Sequence, residues 1–159
     1  MKHTPRKRFG QHFLHDAYVI QRIIDAIAVD EAVPIVEIGP GQGALTVPLL
    51  KAKGSLDVIE IDRDLAAYLA EACKEVGRLK IHTGDVLKFD ISSLGQEPVK
   101  LVGNLPYNIS TPLIFHLLEY LHCIAAGAIH SGMCIRIING AFIVRIYPSF
   151  YGLGGVDFP

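Results

Sequence analysis

Ile35-Val36-Glu37-Ile38-Gly39-Pro40-Gly41-Gln42-Gly43-Ala44 decides the fold. Its first four residues are mostly branched aliphatics, the pattern of a short buried strand. The run ends in three alternate glycines, which tolerate positive φ and let the main chain come close to a ligand. Gly39, Gly41 and Ala44 satisfy the G-x-G-x-x-G/A pattern of dinucleotide loops, a pattern too widespread to choose one ligand. A strand, a glycine turn and a helix make the opening of a βαβ unit.

Outward from this loop the alternation continues. Upstream, Asp16 is placed to cap a helix in which Ile20, Ile23, Ile24 and Ile27 recur at i, i+3, i+4 and i+7. Downstream, Leu56 to Ile61 reads as a second strand. Asp62 then begins a helix with Leu65, Tyr68, Leu69, Ala72 and Val76 on one face and Gly77 to stop it. Leu79-Lys80-Ile81-His82 and Val99-Lys100-Leu101-Val102 read as two more strands. Ser110 is placed to cap a last helix through Leu121, with Pro112 in its first turn. Short apolar strands between amphipathic helices predict an α/β fold with a parallel sheet covered on both faces.

The 159-residue chain is 50% hydrophobic and 19% charged, which suits one domain and leaves little room for two. A net charge of −1 excludes a uniformly basic nucleic-acid coat and an acidic solvating tail. Cys73, Cys123 and Cys134 form no C-x-x-C pair, so neither a disulfide framework nor a thiolate zinc site is expected, and a reducing compartment is the default. No apolar run reaches the roughly 18–20 residues of a membrane helix. No apolar segment follows the basic start, as a secretory signal requires.

The charge is nonetheless uneven. Residues 1–15 form a basic arm with Lys2, Arg6, Lys7 and Arg8 and no acid; this +4 against −1 for the whole chain leaves −5 elsewhere. His3, His12, His15, Phe9 and Phe13 lie among these charges. Such an arm neutralises phosphates and stacks bases, or else is a solvated terminus. His12 and His15 lack a third ligand, so no metal is expected.

Chemistry gathers where the strands end. Glu60 lies 21 residues after Gly39, at the end of the second strand, where a carboxylate accepts hydrogen bonds from ribose hydroxyls. Asp85 follows the third strand, where a carboxylate can receive an adenine amino group. Each acid alone also fits a helix cap. Together with the glycine loop they mark the edge where open α/β sheets bind ligands.

Asn104-Leu105-Pro106-Tyr107 follows the fourth strand. Alkylating the N6 amine of adenine is difficult because its lone pair is delocalised into the ring. The Asn104 side-chain oxygen and the Leu105 carbonyl can grip the amino hydrogens and favour a tetrahedral nitrogen. Pro106 stiffens the turn that presents that carbonyl. Tyr107 offers a face on which an extruded base stacks.

Four segments now stand in order: Arg8 to Leu14, Glu37 to Thr46, Val58 to Asp64, and Gly103 to Pro112. Together they resemble the KsgA/Erm-type ribosomal RNA adenine dimethyltransferases, and the Asn108-to-Pro112 extension favours the KsgA branch. The resemblance implies a Rossmann-like sheet that uses S-adenosylmethionine. It implies dimethylation of adenine N6 in small-subunit ribosomal RNA, as part of ribosome biogenesis. The implied cofactor residues are His12, Leu14, Gly39, Glu60, Asp85 and Asn104, with Gly41 added from the loop itself. Catalysis would rest on Asn104, Leu105, Pro106 and Tyr107, and RNA binding on Lys2, Arg6, Lys7 and Arg8. The expected partner is small-subunit rRNA or the immature small subunit, met in the cytoplasm by a monomer without a membrane or a metal.

Two departures stand out. The family usually has Asn where this chain has His12, so an altered cofactor affinity is expected. The resemblance also stops near Cys123, after a methyltransferase core at residues 16–123. From Ile124 to Pro159 only Arg136, Arg145 and Asp157 are charged. Cys134 to Ile138 and Ala141 to Ile146 flank Asn139-Gly140, a hairpin signal. The expectation for residues 124–159 is a hairpin or a non-native, frame-shifted ending. The sheet is then incomplete at its C-terminal strands, and the family's helical C-terminal domain is absent. Two other functions remain open: a fragment that binds cofactor or RNA without turnover, and an NAD-dependent oxidoreductase, which leaves Asn104 to Tyr107 without a role. If the arm meets phosphates, log affinity for RNA should fall against log salt with a slope of about −0.7 to −0.9 per contact. A filter-binding titration showing no salt dependence would assign the arm to structure instead.

Overall fold

Apolar runs punctuated by Gly and Asp produce the alternation of strand and helix that the sequence predicts. A computed structural model describes residues 16–27, 29, 33–94, 99–105, 107–125, 132–138 and 141–147. Helix α1 (Ala17–Ile27) leads to β1 (Ile35–Ile38), α2 (Thr46–Lys53), β2 (Ser55–Glu60), α3 (Arg63–Ala72) and β3 (Arg78–Thr83). Two short 3-10 turns (Val86–Lys88 and Ile91–Leu94) precede β4 (Val99–Gly103) and α4 (Tyr107–Ala125). Strands β5 (Gly132–Ile138) and β6 (Ala141–Tyr147) close the order.

The strands form one sheet in the order β3-β2-β1-β4-β6-β5. β1 pairs in parallel with β2 and β4, and β2 with β3. The chain thus moves outward from β1 to β3 and then restarts on the other side at β4. Loops after β1 and β4 consequently flank one crevice at the carboxyl edge, the switch point of an open α/β sheet.

Alternate residues of the strands fill two cores. On one face Val36, Ile38, Ile59 and Leu101 pack with Leu113 and Leu117 of α4 and with Val86 and Ile91 of the 3-10 turns. On the other, Ile35, Leu56, Val58 and Val102 pack with Ile23 and Ile27 of α1, Leu49 and Leu50 of α2, and Cys73. β3, at the sheet edge, carries only exposed and half-buried residues instead. Helix ends find partners: Asp16 Oδ1 accepts the Tyr18 amide at 2.9 Å, and Asp62 Oδ1 accepts those of Asp64 and Leu65 at 2.9 and 3.2 Å. At the other end of α1, the buried Lys100 Nζ donates to the Ile27 carbonyl at 3.0 Å.

The helices depart from the sequence reading in two places. α3 ends at Ala72, short of Gly77, and Tyr68 is 55% exposed. The stripe that faces the sheet is Ala66, Leu69 and Cys73, fixed where Leu69 packs beside Gly43, and Tyr68 lies about 100° around the helix from Leu69. α4 begins at Tyr107 rather than at Ser110, so Pro112 lies inside it. The helix starts almost directly off β4, and Pro112 falls just past the first turn, where it removes one main-chain hydrogen bond.

The apolar tail adds to the sheet. β5 and β6 pair antiparallel with Ile138 opposite Ala141, the register of a hairpin whose two connecting residues lie outside the described ones. β6 then runs antiparallel to β4 from Val99↔Ile146 to Gly103↔Phe142. Ile143 and Val144 enter the two cores. Leu101, fully buried on the central strand, should cost about 2–5 kcal/mol of unfolding free energy when replaced by Ala. Phe115→Ala, at a 63% exposed site, should stay within about 0.5 kcal/mol. Urea denaturation of the two variants decides; equal losses would contradict this core.

Candidate functional site: the switch-point crevice

Gly39, Gly41 and Gly43 take φ values of +63°, +56° and +86°. The left-handed region is open to glycine and costly for other residues. Space adds a second requirement at Gly39, where a Cβ would sit 2.6 Å from Leu105 Cδ2. The loop after β1 is therefore packed against the segment after β4, across the crevice. At Gly41 a Cβ would meet nothing within 4 Å, so glycine is needed there for its φ alone.

Glu60 ties the loops together. It is 4% exposed; Oε2 accepts the Gly41 amide at 3.2 Å and Oε1 accepts the Asp62 amide at 2.9 Å. Its carbonyl accepts the Gly84 amide at 2.9 Å, which fixes the turn after β3. Each carboxylate oxygen has two lone pairs, so Glu60 keeps acceptor capacity towards hydroxyl groups. Asp85, half-buried, caps the first 3-10 turn by accepting the Leu87 amide at 3.0 Å.

Two histidines that belong to no sequence motif hold the far end of that turn. His82 stacks edge-on against Phe89, with ring centroids 5.4 Å apart, and pairs with Asp57 at 2.6 Å. His116 of α4 lies 3.1 Å from the Phe89 carbonyl through Nε2. They are 34 residues apart in the chain, and only the fold brings them to Phe89.

In the sequence Glu37 stands out only as part of the glycine segment. In the fold it is 2% exposed, and burial pushes its carboxyl up to about 8. The nearby Thr46 hydroxyl pulls the value partly down, and the Glu60 charge adds to the rise. The hydroxyl is near but does not reach hydrogen-bond geometry: Glu37 Oε2 and Thr46 Oγ1 are both buried without a partner at that distance and angle. Burial, with Glu37 as a lesser cause, also raises the thiol of the buried Cys73.

Of the sequence-predicted residues, Gly39, Gly41, Glu60, Asp85, Asn104 and Leu105 occupy successive strand ends on the carboxyl edge. Asn104 and Leu105 are half-buried, and Tyr107 opens α4. His12, Leu14, Pro106 and the basic residues Lys2, Arg6, Lys7 and Arg8 lie outside the described residues. Among the described residues no helix is long and apolar enough to cross a membrane, and no group of three His, Cys, Asp or Glu is placed to hold a metal ion.

The fold resembles that of a dimethyladenosine transferase from Plasmodium falciparum, with a TM-score of 0.61 at 22% identity over 87% of this chain and 64% of that one. An RNA methyltransferase from Salinibacter ruber, solved with S-adenosyl-L-homocysteine, gives a TM-score of 0.51 at 17% identity over 91% of this chain and 100% of that one. Fold and crevice thus define the class, an open Rossmann-like α/β domain. Residues 2–136 match the profile described as ribosomal RNA adenine dimethylase, and the chain belongs to that family. It is 59% identical over 118 residues to ribosomal RNA small subunit methyltransferase A of Nitrosococcus oceani, covering 73% of this chain and 45% of that protein. The chain spans about half the length of the curated relatives it matches.

The buried acid makes stability depend on pH. An acid whose pKa rises on folding keeps a proton that the unfolded chain has lost. Its contribution therefore falls as pH rises from its ordinary 4.5 to about 8. Glu37→Gln should flatten this part of the curve, worth on the order of 1 kcal/mol per pH unit. Urea midpoints across that range are the check; parallel curves for both proteins would count against a buried, protonated Glu37.

Proposed function

We propose that the chain transfers methyl groups from S-adenosylmethionine to the N6 amine of adenine in small-subunit ribosomal RNA, adding two per base. The observation that carries this reading is the contact between the glycine loop and the Asn104-Leu105 segment, one built to approach a cofactor and the other to grip an amine. The residues present fit the cofactor: three left-handed glycines, a buried acid after β2, and an acid-capped turn after β3. In this reading Gly39 and Gly41 line the loop that receives it, Glu60 accepts from ribose hydroxyls, and Asp85 accepts from the adenine amine. His12 and Leu14 would complete the cofactor site from the arm. When bound, the cofactor supplies a methyl group activated on a sulfonium.

The chain's own work is to aim the nitrogen. In the first transfer the Asn104 side-chain oxygen and the Leu105 carbonyl accept the two amino hydrogens, which withdraws the lone pair from the ring and directs it towards the methyl; in the second they hold the one remaining N–H, and each displaced proton passes to water. Pro106 restrains the carbonyl, and Tyr107 stacks on the flipped base. No strong general base is required, because the amine becomes acidic only as it is alkylated. Lys2, Arg6, Lys7 and Arg8 neutralise backbone phosphates. We assign the chain two functional parts, the arm at residues 1–15 and the catalytic core at residues 16–123, with the hairpin segment at 124–159 as an addition. It acts as a monomer in the cytoplasm on rRNA or the immature small subunit.

Labelled methyl incorporation into immature small subunits tests the proposal. Label should appear at adenine N6, and Asn104→Ala should lower turnover by about 10²–10³, the scale of one preorganised transition-state hydrogen bond. Cofactor binding without label in RNA would instead identify a binding-only domain, and unchanged turnover in the variant would remove Asn104 from the mechanism.

A further inference from the structure

Glu37 is left without a role by the reaction above, yet it occupies a demanding place. It lies two residues before Gly39, is 2% exposed, and leaves Oε2 without a partner beside the unpartnered Thr46 Oγ1. An unpartnered buried carboxylate is expensive, whereas the neutral acid is tolerated. Register places Glu37 opposite Val58 of β2 and Val102 of β4, so Glu60, two residues beyond Val58, points to the same face. Glu60 accepts two main-chain amides, whereas Glu37 Oε2 accepts none.

Resting on the methyltransferase reading, we propose that Glu37 senses the charge of the cofactor. Its carboxyl loses a proton when the cationic sulfonium donor occupies the glycine loop, and regains it when the neutral thioether product remains. The O–H bond is the only bond involved, and its proton exchanges with the buffer. The donor is thereby held partly by a charge that disappears with the methyl group, which favours product release.

The surroundings support such a response. Facing Glu37 are the Thr46 hydroxyl from α2, the Glu60 carboxylate from β2 and the Cys73 thiol that follows α3. Lys100 of β4 shares the face, and its ammonium donates to the Ile27 carbonyl at 3.0 Å. On α1, Arg22 and Asp25 are exposed. Burial, the Thr46 hydroxyl and the Glu60 charge are what shift Glu37, with no cation among them, so an arriving positive charge is the event that lowers it. The unliganded value of about 8 leaves the acid mostly protonated near neutrality, with a proton to give. By linkage, the preference for donor over product rises as pH rises through this range.

Calorimetry of the purified chain with S-adenosylmethionine and with S-adenosylhomocysteine, in two buffers of different ionisation enthalpy near neutral pH, counts the protons. The native chain should release more with the donor than with the product, by on the order of half a proton. Glu37→Gln should abolish that excess, while protons from the ligands' own amino groups remain common to both chains. Equal release from the native chain with both ligands, or an excess that survives in the variant, overturns the proposal. Absence of binding by either ligand overturns the methyltransferase reading and this inference with it, an outcome distinct from binding with equal proton counts. Infrared difference spectra of the native chain supply a variant-free check: the protonated carboxyl band should vanish with the donor and persist with the product. A band unchanged by both ligands also overturns the proposal.

Discussion

The approach of Leu105 to Gly39 is the constraint on which the rest of the structure depends. With φ at +63° and no room for a Cβ, the main chain turns sharply off β1 and lies against the segment leaving β4. Both requirements exclude side chains, and they do so for different reasons. One is conformational and belongs to the residue; the other is steric and belongs to the neighbour. Because β1 and β4 are adjacent in the sheet while their helices cover opposite faces, this contact lies at the mouth of the crevice. It brings the glycine loop and the Asn104-Leu105 segment, to which the proposed function assigns cofactor and amine, within one packed unit.

Polar groups below this contact are buried with unequal compensation. Glu60 is satisfied by amides from the loop after β1 and from the turn after β2, and its own carbonyl anchors the turn after β3. Lys100 directs its charge to a helix end. Glu37 Oε2 and Thr46 Oγ1 are left unsatisfied next to the glycine loop. Most buried polar groups in folded proteins find partners, and those that do not concentrate where a ligand or a reaction needs them.

Much of this is legible in the residues. The alternation of apolar runs with Gly and Asp punctuation places every strand from β1 to β4 to within two residues, because a short buried strand must be apolar and must stop at a residue that turns. The hairpin of β5 and β6 is readable from two isoleucine-rich runs around Asn139-Gly140. Its docking against β4 is not, since nothing in a local pattern names a partner strand. Tyr68 is misplaced by periodicity because a helical repeat alone does not say where the buried stripe is centred; the fit of Leu69 beside Gly43 does. A helix start at Ser110 would put Pro112 in the first turn, whereas the chain becomes helical at Tyr107. Of the site, Gly39, Glu60 and Asp85 are visible from their positions after strands. His82, His116 and the unpartnered Oε2 of Glu37 are not, because each depends on contacts between distant segments.

Amide chemical shifts during titration with S-adenosylmethionine test the central claim most directly. Shifts should concentrate at Gly39, Gly41, Glu60, Asp85 and Leu105, around one crevice, and NAD should not reproduce them. Shifts confined to other surfaces, or an equal response to NAD, would contradict the account.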